Sequence, residues 1–242
     1  MSDYSVNILH LYPDLLNLYG DMGNISALTK RLTDRNISAN VITLTALAPL
    51  PDLNDIDIIF LGGGSDHEIE VVCNALMNKK TEVKDFVEAD GVMIALCSGY
   101  PIIGKSYISG DKTLDGLGIV DITTTKSKKR LISDVIIESN LVPMKIVGFE
   151  NHPTSTHIGD YTPLGKVLYG KGNTGDGTFE GLVYKNLLGT YLHGPLFPKN
   201  PMLCDYVLTK ALKKKYSDFT GLSPLDDQLE IKANQYIIER LK

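Results

Sequence analysis

VMIALCSGYP, residues 92–101, is the stretch on which the fold turns. Five apolar residues, Val92 to Leu96, stop at Cys97, and Ser98, Gly99, Tyr100 and Pro101 follow. An unbroken apolar run of this length is how a parallel strand buried on both faces reads. A strand that ends at a nucleophilic residue and turns through a small residue into a helix is the cysteine form of the nucleophile elbow. The elbow strains the backbone at the nucleophile and needs small neighbours where strand and helix meet, which Ala95 and Gly99 supply. Its thiol stands above the carboxyl edge of the sheet, where open α/β sheets place their ligands. The helix N-terminus that follows lowers a thiol's pKa, and Pro101 suits a first helical turn.

Upstream of the elbow, β-rich runs alternate with helical patterns. Residues 5–11, 38–44, 56–61 and 92–96 read as strands; 24–36, 66–78 and 82–89 read as helices. This alternation implies βαβ units and a mostly parallel central sheet flanked by helices, an α/β fold. Downstream, short strand candidates at 118–124, 131–138, 145–149, 165–169, 181–184 and 187–191 predict an antiparallel or mixed extension. Residues 170–181 (GKGNTGDGTFEG) are either a lid or a surface hairpin, with the hairpin favoured. Helices at 202–216 and 226–241, separated by a Gly/Ser/Pro break, form a C-terminal helical extension (202–242) of one domain spanning 1–242.

A net charge of −5 argues against nucleic acid as the main partner. The one basic run, Lys126-Ser127-Lys128-Lys129-Arg130, reads as a solvated turn. Three widely spaced cysteines, Cys73, Cys97 and Cys204, suggest neither a zinc site nor a disulfide framework. Cys73 and Cys204 fall within helical patterns and read as core or surface thiols. No metal site and no membrane span are expected, and the opening MSDYSVNILH lacks the features of a signal peptide, so the expected compartment is the cytoplasm.

Acyl transfer at Cys97 needs donors for an oxyanion and a base. The backbone N–H of Ser98 is one donor. The turn Gly62-Gly63-Gly64, closing the run at 56–61 and opening a helix, is placed to supply the other; without a following Gly-Lys-Ser/Thr it is no Walker loop. His193, at the end of Leu187–Leu192 and before Gly194-Pro195, is the best placed base. His10 reads as a satisfied histidine inside the first strand. His67 begins a helix, and His152 and His157 lie in FENHPTSTH, read as a turn after a strand.

GGGSD (62–66), LCSGY (96–100) and GTYLHGP (189–195), in this order and spacing, resemble class I glutamine amidotransferases. YLHGP and FENH (149–152) are similar to the cobyric acid synthase-like branch. The likeness extends through LNLYGDMGN (16–24), FLGGGSDHE (60–68), RLISDVIIES (130–139) and KNLLGTYLHGPLFPKN (185–200) to the glutaminase subunits of lipid II isoglutaminyl synthases. The resemblance implies that Cys97 and His193 are catalytic, and that Gly64 and Ser98 form the oxyanion hole. It implies that Arg130 and Gly63 bind L-glutamine. It also implies a heterodimer with a Mur-ligase-like synthetase subunit (MurT), which carries the ATP and Mg; this chain itself needs no cofactor.

Three positions depart from the family pattern. The elbow reads Cys97-Ser98-Gly99-Tyr100-Pro101 where Cys-Gly-Gly-Tyr-Gln is common, and Pro195 stands where many relatives carry a glutamate two residues after the histidine. A carboxylate from the partner subunit, or Glu150 of this chain, is then the expected third member of the triad. A free-standing amide or γ-glutamyl cysteine hydrolase, and a non-catalytic regulatory subunit, are the alternative functions.

Overall fold

The computed structural model describes residues 4–18, 20–109 and 111–241. Met1–Asp3 of the opening segment, Tyr19 within LNLYGDMGN, and Lys242 at the end of the C-terminal extension lie outside the described residues.

The apolar runs upstream of Cys97 form one sheet, as expected. Strands β1 (Ser5–Leu11), β2 (Ser38–Leu44), β3 (Ile58–Leu61) and β4 (Val92–Leu96) are mutually parallel in the order β4-β3-β1-β2. Residue alternation explains why the runs carry no polar face. Ile58, Phe60, Ile94 and Leu96 pack on one side, against Ile25, Leu28 and Leu32 of α1 (Met22–Thr33) and Leu203, Val207 and Leu208 of α5 (Pro201–Lys215). Ile59, Leu61, Met93 and Ala95 pack on the other, against Val72 and Leu76 of α2 (Asp66–Met77) and Val83 and Phe86 of α3 (Lys80–Glu88). Both faces of β3 and β4 are therefore dry, and burial of each of their Ile, Leu, Phe and Met side chains contributes roughly 1.5–3 kcal/mol.

The chain leaves β1 toward β2 on one side and returns to β3 on the other. The strand order thus reverses between β1 and β3, and the loops after these two strands meet at the carboxyl edge, the usual place for a ligand crevice. Beyond β4, β12 (Leu187–Thr190) adds a parallel strand and β11 (Leu182–Tyr184) an antiparallel edge. The pairing of Thr190 with Leu96 sets the end of β12 beside the elbow.

A second, mixed sheet carries the other half. Among the described residues it holds β5 (Ser106–Ser109), β6 (Lys112–Asp115), β7 (Thr123–Glu138), β8 (Ile146–His157), β9 (Gly165–Tyr169) and β10 (Phe179–Glu180). The glycine-rich segment 170–181 connects β9 to β10 and contains β10 itself, and the antiparallel pairing of the two strands makes it the favoured hairpin. The helix after the break is α6 (Gln228–Arg240).

Four expectations change. Residues 118–122 are not strand, and β7 begins at Thr123. The β5–β6 hairpin was not anticipated, because each strand is only four residues long and β6 is largely exposed. FENHPTSTH is not a turn but most of β8, which pairs with β7 along its length and is bridged at Phe149 to His193, leaving Pro153 where a proline's missing N–H is tolerated. The basic run is not a turn between elements either. It lies within β7, where register breaks between Lys126 and Leu131, so residues 127–130 stand opposite the single Pro153. That bulge throws Arg130 out of the ladder.

Candidate active site

Cys97 holds a φ of 52°, in the left-handed region. A non-glycine residue there is strained by about 1–2 kcal/mol. This is the strained turn that the elbow pattern demands. The turn is held by the Cys97 N–H, which donates to the Thr190 carbonyl at 2.8 Å, and by α4 (Gly99–Ile103), whose first turn includes Pro101. A Cβ on Gly99 would lie 2.8 Å from the Gly62 carbonyl oxygen, so only glycine lets the elbow lie against the end of β3.

The elbow opens on a cavity of about 400 Å³. It is lined by Cys97, Ser98 and Pro101 of the elbow, by Gly64, Ser65, His67 and Ile69 after β3, and by Arg130, Asn151, His152, Pro153 and Thr154 of β7 and β8. Leu18, Tyr107 and Tyr191 complete it. Residues from the ends of β1, β3 and β4 therefore meet residues from the β7–β8 hairpin across the space.

Of the six residues singled out in the sequence, Cys97, Gly64, Ser98 and Arg130 line this cavity; His193 and Gly63 do not. Gly63 lies directly beneath the thiol instead: a Cβ on it would stand 3.3 Å from Cys97 Sγ. The Ser98 hydroxyl donates to the Gly64 carbonyl at 2.6 Å and lies 3.3 Å from the Gly64 nitrogen, fastening the turn after β3 to the elbow. Arg130 Nη1 donates to Asn151 Oδ1 at 2.8 Å, which aims the guanidinium from the β7 bulge.

His193 is fully buried, with its backbone bridged to Phe149 and its ring edge-on to Phe149 at 5.5 Å. Two histidines line the cavity, His67 at the start of α2 and His152, which sequence reasoning set in a turn. For His152 the surroundings are polar and aromatic. Its ring stacks on Tyr191 at 3.7 Å, its Nδ1 lies 2.7 Å from Thr154 Oγ1, and its Nε2 lies 3.6 Å from Glu150 Oε2. The carboxylate of Glu150, the in-chain candidate for orienting His193, accepts the N–H groups of Lys171 and Gly172 at 2.6 and 2.9 Å. The signal for His152 was in FENH; its place on a strand facing Tyr191 depends on tertiary pairing. Pro195 packs on α1, 2.7 Å from where a Cβ on Gly23 would be.

The electrostatics reverse one expectation. Burial, with the Asp21 carboxylate adding to it, pushes the Cys97 thiol up to about 12, against the helix N-terminus, the Ser98 hydrogen bonds and the Arg130 charge. Burial, helped by the charges of His152 and Lys199, pulls His193 down to about 4. Burial therefore favours a neutral thiol at Cys97 and a neutral imidazole at His193. Such an imidazole can accept a proton, but the thiolate has to be made when substrate arrives. Cys73 and Cys204 are buried within α2 and α5, with thiols raised by burial. Among the described residues no group of three or more His, Cys, Asp or Glu side chains is arranged to hold a metal ion, and no helix is long and apolar enough to cross a membrane.

Comparison with known proteins gives the arrangement a family. The chain is 42% identical over 238 residues to the lipid II isoglutaminyl synthase (glutamine-hydrolyzing) subunit GatD of Staphylococcus aureus strain N315, covering 98% of this chain and 96% of that one. It is 37% identical over 230 residues to the subunit of the same name from Streptococcus pneumoniae, covering 93% and 88%. The structure of PurLQS from Thermotoga maritima superposes with a TM-score of 0.56 over 87% of this chain and 99% of that one; at 15% identity this speaks for the fold alone. Residues 7–201 match the model of the CobB/CobQ-like glutamine amidotransferase domain, and the chain belongs to that family.

Proposed function

We propose that this chain is the glutamine-hydrolysing subunit of a two-subunit amidating enzyme. Cys97 attacks the side-chain carboxamide carbon of L-glutamine, the C–N bond breaks, and ammonia leaves a γ-glutamyl thioester. Water then cleaves the thioester to glutamate and restores the thiol. His193 takes the thiol proton and returns it to the leaving nitrogen, while the backbone N–H groups of Gly64 and Ser98 hold the oxyanion. Arg130 takes the substrate's α-carboxylate in a bidentate pair, and Gly63 lets the turn after β3 approach the reacting carbon.

The observation that carries the reading is the left-handed backbone of Cys97, in a cavity that Arg130 also lines. The names of two relatives, each a glutamine-hydrolyzing subunit of a lipid II isoglutaminyl synthase, support a second subunit and lipid II as the acceptor, and the motif resemblance suggests the rest. The ammonia passes to a Mur-ligase-like synthetase subunit (MurT), which uses ATP and Mg to amidate D-glutamate of lipid II to D-isoglutamine in peptidoglycan synthesis. The residues 1–242 act as one domain, without a cofactor of their own, in the cytoplasm. The neutral thiol and imidazole that burial favours support dependence on the partner. A carboxylate brought against His193 by that subunit would raise its basicity, the role a third triad member plays.

Labelling with 6-diazo-5-oxo-norleucine tests the reading. The parent chain with its synthetase partner takes one label, Cys97→Ala takes none, and His193→Ala loses glutaminase activity. Absence of labelling in the complex overturns the proposal in favour of a non-catalytic subunit. Equal glutaminase rates with and without the synthetase favour a free-standing hydrolase.

A further inference from the structure

Asp21 stands at the N-terminus of α1, where an aspartate ordinarily accepts hydrogen bonds from its own helix. Here its side chain makes no such bond. Asn17 takes over, its Oδ1 accepting the Met22 N–H at 2.9 Å. The Asp21 carboxylate instead reaches into the turn after β3, where Oδ2 accepts the Gly63 N–H at 2.7 Å. The side chain is fully buried, and its Oδ1 has no hydrogen-bond partner. A buried carboxylate with one oxygen unpartnered is costly, which calls for a reason beyond packing.

The reason lies in the next peptide unit. The Gly63 carbonyl accepts the Leu18 N–H at 2.9 Å. In a planar trans peptide that carbonyl and the Gly64 N–H point opposite ways. With the Gly63 oxygen tied to Leu18, the Gly64 N–H is turned toward the elbow, where the Ser98 hydroxyl oxygen lies 3.3 Å away. Two successive peptide units are thus set from one side by the segment after β1: the first by Asp21, the second by Leu18. With glycines at 62, 63 and 64, nothing in the turn's own side chains would hold these planes.

We propose that Asp21 is a positioning residue for the oxyanion hole: it fixes the peptide unit that enters Gly63, so that the next unit, held by Leu18, keeps the Gly64 N–H in its direction. The proposal rests on the reading that Cys97 performs acyl transfer with Gly64 as a donor. It also explains the LNLYGDMGN stretch, since Leu18 and Asp21, following β1, preset the electrostatics at the end of β3.

The test compares Asp21→Ala and Asp21→Asn in the full chain with its synthetase partner, each checked for native folding by circular dichroism. Loss of one oxyanion donor lowers turnover by about 10²–10³-fold. Asp21→Ala is expected to lower kcat for glutamine hydrolysis by about 10²-fold and to leave KM within about threefold. Asp21→Asn, which keeps an acceptor oxygen, is expected to recover most of that loss. Alkylation of Cys97 by iodoacetamide, which needs no oxyanion hole, is not slowed in either variant. A second arm needs no glutaminase activity. Amide exchange in a peptide spanning residues 61–65 accelerates in Asp21→Ala, whereas a peptide within β4 stays protected. Unchanged exchange at 61–65, an unchanged kcat, or a fall in kcat matched by equal slowing of alkylation overturns the proposal. Absence of glutamine hydrolysis in the parent would count against the functional reading, while the exchange arm still decides whether Asp21 sets the turn.

Discussion

The Cβ of Cys97 fills the space that a side chain on Gly63 would need: a Cβ built there would stand 2.7 Å away. Neither partner can yield easily. Cys97 is pinned by its strained turn and by the hydrogen bond to Thr190, and Gly63 is held through both its N–H and its carbonyl. Gly63→Ala is therefore expected to displace the turn from the elbow. Overpacking of this kind costs about 1–3 kcal/mol of stability. Displacing an oxyanion donor lowers glutaminase kcat by about 10²-fold or more. Urea denaturation and steady-state kinetics check both, and a variant with unchanged kcat would show that the Gly63–Cys97 contact is not needed for turnover.

Arg130 reaches the cavity because four residues of β7 bulge out opposite Pro153, and Asn151 then steers its guanidinium. A charge-assisted bond to the substrate contributes about 1.5–3 kcal/mol, or roughly 10–100-fold in affinity. Arg130→Ala is expected to raise KM for glutamine by about that factor with a smaller change in kcat. Arg130→Lys recovers little, because an ammonium cannot reproduce a planar fork. Asn151→Ala, which leaves the arginine present but unsteered, raises KM by less than about tenfold. Steady-state kinetics of the three variants decide this; a fall in kcat with KM unchanged would place Arg130 outside substrate recognition.

His10 gives a prediction about pH. It lies fully buried in β1, edge-on to Phe60 at 5.3 Å, and neither ring nitrogen has a hydrogen-bond partner, unlike the satisfied histidine its strand position suggested. Burial lowers its pKa from 6.5 to about 4. Below 6.5 the unfolded chain binds a proton that folded His10 refuses until about 4, so its contribution to stability falls as pH drops through that window. Asp21 and Glu180, each raised by burial to about 7, act in the opposite direction over much of the same range. The effect of His10 is therefore isolated as a difference between parent and variant. His10→Phe is expected to gain on the parent by about 1.4 kcal/mol per pH unit below 6.5. Stability profiles that stay parallel from about pH 7 to pH 4 in urea denaturation would remove the idea.

The first sheet was legible almost to the residue. Residues 5–11, 38–44 and 92–96 are strands at the bounds read from the sequence; for 92–96 the reason is burial on both faces, which leaves no polar position to blur an end, whereas 38–44 is a largely exposed edge strand marked by its β-branched residues. The elbow was legible for a related reason: a positive φ at Cys97 and close contact at Gly99 are demands that Cys-Ser-Gly displays in three letters. The β7–β8 hairpin was not. Its strands carry lysines, threonines and a proline, and only their mutual pairing makes strand of them. His152 and Asp21 were missed as site residues because each acts across the fold, one through a ring stacked on Tyr191 and the other through the Gly63 peptide on a different strand's end. The thiol's high pKa was hidden for the same reason, since burial depends on what closes over Cys97.

The left-handed turn at Cys97 has one more consequence. A glycine there would relax without penalty, whereas cysteine holds about 1–2 kcal/mol of conformational strain in every folded molecule. An inert Cys97→Gly protein should thus melt above the working one, provided the small void left by the thiol costs less than the turn returns. The reactive residue is kept at the expense of the fold's own resilience, and a screen for thermostability alone would select against it.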